Sequence, residues 1–452
     1  MRSIPAKGRS TEEILRDLES FRAHDVDWRS GRTWAYVYDP GPEALVAMAA
    51  RHLRGDEHVV GNFTSGGTES ILLAVKTARD WARAERPHIR EPEMVLPVTA
   101  HAAFHKAAHY FCVKPVLVPV DPRSFKADPQ AMERAITPNT ILIVGSAVSY
   151  AHGVVDPIRE LAEIAQRRGV LFHVDACMGG FLLPYFRRLG APVPDFEFHV
   201  PGVTSISMDF HKYAFAAKGA SVILYRNAEL RRYQIFTCAS WTGYTVVNPT
   251  VQSTKSAGPL AAAWAVLNYF GDEGYLEIAR KVLEATRYLA SEIEKLPGLR
   301  LLGQPEMNLI AFTSDEVNVF HVVDEMKARG WYVQPQLGYL GSKENIHLSV
   351  NPANVRWCDA LLADVRASVV AARKMPQEDL SGLKAMLEQL DLERLTPDEL
   401  RQMLAFAGVH GGSLPQRMAA VSTLLNSLPP AWAEKLLTAY INELYRPAGV
   451  EP

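Results

Sequence analysis

The sequence predicts an α/β fold built on a mostly parallel central sheet, and two observations predict it. Short apolar runs recur after Gly55, and segments of helical periodicity lie between several of them. The strand-like runs are residues 94–98, 115–120, 140–144, 170–174 and 203–207; the helical segments include 71–83 and 158–168. A strand covered on both faces reads as a continuous apolar run, and parallel neighbours need a crossover between them. The crossovers are expected to be right-handed.

Four regions follow in order. Residues 1–55 form an N-terminal arm, where Ser10-Thr11-Glu12-Glu13 reads as a helix start. Residues 56–270 carry the strand and helix alternation and form the large domain. Residues 271–375 form a smaller α+β domain, with a long amphipathic helix at 275–296, short strands at 309–312, 332–336 and 345–349, and a helix at 359–371. Residues 376–452 form a helical C-terminal extension, broken at Pro429-Pro430. No repeat or low-complexity tract is present.

Composition narrows the function classes. The 452 residues can bury more than one core, and 48% hydrophobic with 22% charged residues is ordinary for a soluble globular chain. A net charge of −2 argues against general nucleic-acid binding. Cys112, Cys177, Cys238 and Cys358 are scattered, which fits neither a disulfide scaffold nor a zinc site. No metal-ligand set is read, and a reducing cytoplasm is the expected compartment. The N-terminus lacks the apolar stretch of a secretion signal. The most apolar segment, 257–270, is interrupted by Pro259 and Asn268 and is too short to span a bilayer, so it is expected to be a buried helix and no transmembrane segment is predicted.

Three features at strand ends carry chemistry, because open α/β sheets bind ligands there. Thr64-Ser65-Gly66-Gly67-Thr68-Glu69-Ser70 precedes a helix. Its glycines admit a close approach of backbone to ligand, and the helix start offers N–H groups to a phosphate. Alone, such a loop is as readily a simple helix cap. Asp175 closes the run VLFHVDA, where a buried carboxylate costs free energy unless a positive group meets it. A lone Asp there more often caps a turn. Lys212 follows the strand at 203–207, where partial burial is expected to lower its pKa and free the amine for a Schiff base. A lysine taken singly is more often a surface residue.

The combination decides. A phosphate cradle, an acid and an amine on successive strands of one sheet are what pyridoxal 5'-phosphate requires for its phosphate, ring nitrogen and aldehyde. His101, after the strand at 94–98, adds an imidazole that can stack on the ring; its alternative role is to cap the next helix.

These residues also carry a family resemblance. TSGGTES, HAAF-KAA, HGVVDP, HVDACMGGF and GVTSISMDFHKYAFAAKGAS resemble the group II pyridoxal-dependent decarboxylase family, and within it the sphingosine-1-phosphate lyases. The likeness runs from about Asn62 to about Pro352. It implies the fold type I, transferase-like architecture. It implies that Lys212 binds the cofactor covalently, Asp175 pairs with the pyridine nitrogen, His101 stacks on the ring, and Gly67, Thr68 and His211 bind the cofactor phosphate. In the family a Gly-Ser-Arg stretch from the neighbouring subunit completes that site, so a homodimer with shared active sites is implied. The matching stretch here is Ser253-Thr254-Lys255, and Lys255 lacks the bidentate fork of arginine. Tyr38, Tyr150 and Lys218 match positions that hold the substrate phosphate or assist catalysis. One departure stands out. The family carries a longer segment with an Asn-Pro-Leu-His-Pro-like motif, whose histidine contributes to binding the substrate phosphate. Here Tyr38-Asp39-Pro40-Gly41-Pro42 runs directly into Glu43-Ala44-Leu45-Val46.

The resemblance implies retro-aldol scission of the C2–C3 bond of a phosphorylated sphingoid base, giving a long-chain aldehyde and phosphoethanolamine. Lys212, Tyr38 and Tyr150 are the acid–base candidates, and Lys218 the cation for the substrate phosphate. Two other readings use the same cofactor residues. One is an amino-acid decarboxylase acting on aspartate, glutamate or tyrosine; the other is a cofactor-binding protein without turnover.

Overall fold

The first helix, α1 (Thr11–Phe21), starts where the sequence places it. Ser10 Oγ accepts the Glu13 N–H at 3.2 Å, and Glu13 Oε2 accepts the Ser10 N–H at 3.0 Å. Two orphan donors of the helix start are thus satisfied reciprocally. The computed structural model describes residues 3–21, 44–253, 255–376 and 414–445, with positions 382, 399, 402, 403, 405 and 409 besides. Tyr38 and Thr254 lie outside the described residues.

After α2 (Ala44–His52) the chain alternates: β1 (Val60–Thr64), α3 (Gly67–Glu85), β2 (Glu93–Pro97), α4 (Ala103–Phe111), β3 (Lys114–Val118), α5 (Pro129–Arg134), β4 (Thr140–Ser146), α6 (Ile158–Arg168), β5 (Leu171–Asp175), α7 (Leu183–Arg188), β6 (Ser205–Asp209) and β7 (Ser221–Tyr225). The seven strands form one sheet in the order β1-β7-β6-β5-β4-β2-β3. β2 through β6 pair in parallel, and β7 runs against both β6 and β1. The five expected strands are β2 to β6. β1 and β7 are additions; the first is an edge strand that carries Gly61 and Asn62, residues poorly suited to strands. This is the fold type I architecture that the resemblance implied.

The sheet is held by apolar helices laid on it. α3 and α4 bury Ile71, Val75, Phe104 and Ala107 against Met94, Leu96 and Leu142 of β2 and β4. α6 packs on β4 and β5. At Gly145 a Cβ would lie 2.8 Å from Ile158 Cδ1, so α6 packs closely on β4 there. α8 (Ala228–Arg231) is followed by a hairpin of β8 (Phe236–Cys238) and β9 (Val246–Asn248). The long α9 (Ala257–Glu294) is broken at Gly271, whose φ is +62°, between the two helices read from the sequence. A Cβ there would lie 2.4 Å from the Lys7 carbonyl carbon.

By its contacts the chain divides into two compact units, residues 1–287 with 303–309 and 350–355, and residues 288–302, 310–349 and 356–452. The second contains β10 (Leu299–Leu301), most of β11 (Leu309–Ser314), α10 (Val319–Ala328), β12 (Gln334–Gln336), β13 (Asn345–Ser349) and α11 (Cys358–Ala372). Its sheet has the order β10-β11-β13-β12. Two further helices, α12 (Ala419–Ser427) and α13 (Pro430–Leu444), share a small core of Val421, Leu424, Leu428 and Leu436. Asp324 of α10 accepts the Met418 and Ala419 N–H groups at 2.8 and 2.9 Å, capping α12. Among the described residues no helix is long and apolar enough to cross a membrane.

Phe104 is fully buried between α4 and the sheet. Phe104→Ala is expected to lower unfolding free energy by about 3–5 kcal/mol, read as a fall in the urea midpoint at constant slope.

Candidate active site

The parallel strands end together, and a cavity of about 400 Å³ opens at their carboxyl ends. Ser65 to Glu69 line it after β1, His101 after β2, Ser146, Val148 and Tyr150 from β4 onward, Asp175, Cys177 and Met178 from β5 onward, and Asp209, His211 and Lys212 from β6 onward.

The glycine loop sits directly on the acidic floor. A Cβ at Gly67 would lie 2.8 Å from Cys177 Sγ and 2.9 Å from Asp209 Oδ2, so only glycine fits. This close approach brings the first turn of α3, which lines the cavity, onto its floor. Buried Glu69 fixes the loop: it accepts the Ser65 N–H at 2.6 Å and the Val251 N–H at 3.0 Å.

Asp175 is buried at the end of β5. Its Oδ1 accepts the Cys177 N–H at 3.1 Å and the Ser207 hydroxyl at 3.4 Å. Behind it His173 is bonded through both ring nitrogens, to Ser205 Oγ at 2.9 Å and Ser207 Oγ at 3.1 Å. Burial pushes the His173 pKa down to about 4 despite the attraction of Asp175, so this imidazole stays neutral at physiological pH.

Lys212 reaches Asp209 Oδ2 at 2.8 Å. Burial opposes its ammonium, but the surrounding Cys177, Asp209 and Asp175 hold the amine above its ordinary range. Burial also pushes the Cys177 thiol up. The expectation that burial frees the amine by lowering its pKa is corrected: the acidic groups around Lys212, with Asp209 in contact, together outweigh desolvation. Asp209 also accepts a hydrogen bond from the Ser221 hydroxyl and lies 3.5 Å from His211 Nε2. His211 Nδ1 accepts the Ala220 N–H at 3.2 Å, and burial holds its pKa below the ordinary value.

The structure thus brings together Gly67, Thr68, His101, Tyr150, Asp175, His211 and Lys212. His101 caps the next helix, its Nδ1 accepting the Ala103 N–H at 3.1 Å at the start of α4, and it also lines the cavity. Lys218 and Ser253 are exposed and do not line the cavity. The sequence reading missed Asp209, Ser146 and Cys177. Asp209 had a signal, since it ends a buried strand three positions before the lysine.

Residues 43–315 match the pyridoxal-dependent decarboxylase conserved domain, and residues 381–443 match a C-terminal putative HTH domain of pyridoxal-dependent enzymes. A sphingosine-1-phosphate lyase of Oryza sativa subsp. japonica is 39% identical, the alignment covering 82% of this chain and 75% of the relative. The solved structure of a sphingosine-1-phosphate lyase from Burkholderia pseudomallei superposes with a TM-score of 0.69 at 33% identity, covering 88% of this chain and 98% of that one. A probable L-aspartate decarboxylase of Pyrococcus furiosus is 33% identical over 75% of this chain and 96% of the relative. The chain belongs to the pyridoxal-dependent decarboxylase family, in its sphingosine-1-phosphate lyase branch. It is a lyase dependent on pyridoxal phosphate.

The cavity fits that cofactor on its own terms. The Gly66-Gly67 cradle with the α3 N-terminus and His211 suits a phosphate. Asp175 suits a protonated ring nitrogen, and among the described residues both of its hydrogen bonds fall on Oδ1. Among the described residues Ser146 Oγ, buried on the cavity wall, has no hydrogen-bond partner, which suits a site built for a polar ligand. Lys255 donates to the Phe63 carbonyl at 2.5 Å and lies 3.8 Å from Glu69.

Asp209→Asn removes the charge that holds the Lys212 ammonium. After the cofactor is stripped, Lys212 in this variant is expected to react with an amine-directed reagent at lower pH than in the parent, its midpoint falling by more than one pH unit by peptide mass spectrometry (about 1.4 kcal/mol per unit). An unchanged midpoint would show that Asp209 does not set the state of this amine.

Proposed function

We propose that this enzyme cleaves sphingosine 1-phosphate, or a related phosphorylated sphingoid base, between C2 and C3 into a long-chain aldehyde and phosphoethanolamine. The observation that carries the reading is the convergence of Lys212, Asp175 and the glycine cradle in one cavity, in a chain 39% identical to a rice sphingosine-1-phosphate lyase. Bound pyridoxal phosphate supplies the electron sink for the bond that breaks. The residues do the rest. Asp175 keeps a positive charge on the ring nitrogen. Gly67, Thr68 and His211 would hold the cofactor phosphate, and His101 would face its ring. Lys212 would hold the cofactor through its amine.

Chemistry at the substrate needs one base and one acid. A base takes the C3 hydroxyl proton, C3 becomes the aldehyde carbon, and C2 is then protonated. Tyr150 lines the cavity and is 39% exposed, which supports its assignment as one of these groups. Tyr38 is the second acid–base candidate. Lys218 serves as the cation for the substrate phosphate; it stands close enough to lower the His211 pKa.

Two copies are proposed to form the working enzyme. The hairpin of β8 and β9 and its flanks expose Phe236, Trp241, Tyr244, Val247 and Val251, an apolar group that a second copy would cover. Ser253 and Thr254 follow this hairpin and are proposed to reach the neighbouring cofactor phosphate. Four free cysteines are consistent with a cytoplasmic location.

The test is incubation of the cofactor-loaded protein with sphingosine 1-phosphate. Fatty aldehyde and phosphoethanolamine are expected in equal amounts, and Tyr150→Phe is expected to lower kcat roughly 10²- to 10⁴-fold. Carbon dioxide from aspartate, glutamate or tyrosine, with no aldehyde, would establish the decarboxylase instead. Cofactor absorbance with no product from any amine would establish a binding protein. Lys212→Ala is expected to abolish both turnover and the borohydride-fixable absorbance.

A further inference from the structure

The HGVVDP motif takes no part in the site as described so far, yet it closes the loop that carries Tyr150. Residues 147–155 leave the cavity wall at Ser146, pass through Tyr150 and return to Asp156. The base of this loop is shut by the Asp156 N–H on the Ser146 carbonyl at 2.9 Å and by an antiparallel bridge between Ala147 and Val155. Inside it, Ser149 N–H donates to the Val154 carbonyl at 2.9 Å and Gly153 N–H to the Ser149 carbonyl at 3.0 Å.

Asp156 is 0% exposed, and each oxygen has one backbone donor. Oδ2 accepts the Ser146 N–H at 2.8 Å, and Oδ1 accepts the Ala127 N–H at 2.8 Å. One carboxylate therefore ties the end of β4 to the segment before α5. Glu306 makes a second clamp on the same loop. Its N–H donates to the Gly153 carbonyl at 2.9 Å, its Oε2 accepts the Val155 N–H at 2.7 Å, and its Oε1 meets Lys126 at 2.8 Å. A buried carboxylate held only by amides is a costly way to close a loop, and an apolar residue would close it at lower cost.

We propose that Asp156 is a positioning residue for the reaction: by gripping Ser146 and Ala127 it sets where Tyr150 stands in the cavity. The proposal rests on the assignment of Tyr150 to the reacting site.

The charge state of Asp156 then matters. Burial raises its pKa to about 6, opposed by the Ala127 and Ser146 amides and by Lys126, and reinforced by Glu306. The other titratable group packed at this base is His152, stacked on Phe125 with ring centroids 4.1 Å apart. For an acid with a raised pKa the charged form is lost as pH falls through the folded value, here about 6. The amide grip weakens in that window, and kcat falls with it.

The test is a double-mutant cycle on the loaded enzyme. Asp156→Asn keeps the size but presents an NH2 to one of the two amides. Its kcat is expected to fall roughly 10- to 100-fold, with KM and cofactor absorbance nearly unchanged. In a Tyr150→Phe background the same change is expected to alter kcat less than about twofold. Full multiplication of the two effects would overturn the proposal, because Asp156 would then act elsewhere. No effect of Tyr150→Phe alone would overturn the role of Tyr150 and this proposal with it. A second measurement needs no variant and no substrate. Amide hydrogen exchange in residues 146–155, corrected for intrinsic rates, is expected to quicken between pH 7.5 and pH 5.5 more than in the other strand-end loops. Equal protection at both pH values would show that the carboxylate does not hold the loop.

Discussion

The N-terminus of α3 rests on Asp209 and Cys177 with no room for a side chain between them. Much of the site follows from that contact. Gly67 lets a helix end, with its unpaired N–H groups, lie over the carboxyl ends of β5 and β6. The same approach places the phosphate cradle within reach of the residues that the next two strands deliver, Asp175 and Lys212. The sheet order makes this possible, since β5 and β6 are neighbours and β7 separates β6 from β1. Residues from distant parts of the chain meet because parallel strands end on one edge.

Charge in the cavity is arranged by backbone as much as by side chains. Asp175 takes the Cys177 amide, Glu69 takes the Ser65 and Val251 amides, and Asp156 takes those of Ser146 and Ala127. Each bond orients a carboxylate without spending a cation on it. The cation in contact with the floor is Lys212, paired with Asp209. His173 lies beneath as a neutral group, bonded on both sides by serine hydroxyls. It stiffens Ser207, and through Ser207 the Asp175 carboxylate, without adding charge.

Most of the sheet was legible because buried parallel strands are apolar runs with helical segments between them. β1 was not, since an edge strand with Gly61 and Asn62 lacks that signature. β7 has an apolar run, but such a run carries no direction, so its reversal is a property of the pairing alone. That Lys212, Asp175 and Gly67 would share one cavity was readable because their types match three separate demands of one cofactor. Asp209 was not singled out, because an acid beside a lysine has no unique meaning until the distance is known. Sequence position also misjudged the Lys212 amine. Burial is visible in an apolar strand, whereas a carboxylate 2.8 Å away from a turn of the same chain is not. Lys255 shows the same limit, as its partners Phe63 and Glu69 lie far off in sequence.

A site of this kind works against the stability of the fold that holds it. Glu69, Asp156, Asp175 and Asp209 are all buried, and each buried carboxylate must be compensated locally. Natural sequences violate folding rules mainly where function requires it. Here these four gather near the carboxyl-terminal edge of the sheet, while β2 and β4 are fully buried along their length, and Phe104, Met94 and Leu142 seal them against α3 and α4. The central strands supply the rigidity and the excess stability, and the strand ends use both. That division explains why the candidate catalytic groups stand on strand termini and short loops, and why the loop of Tyr150 is clamped at its base by two acids when hydrophobic packing could have closed it.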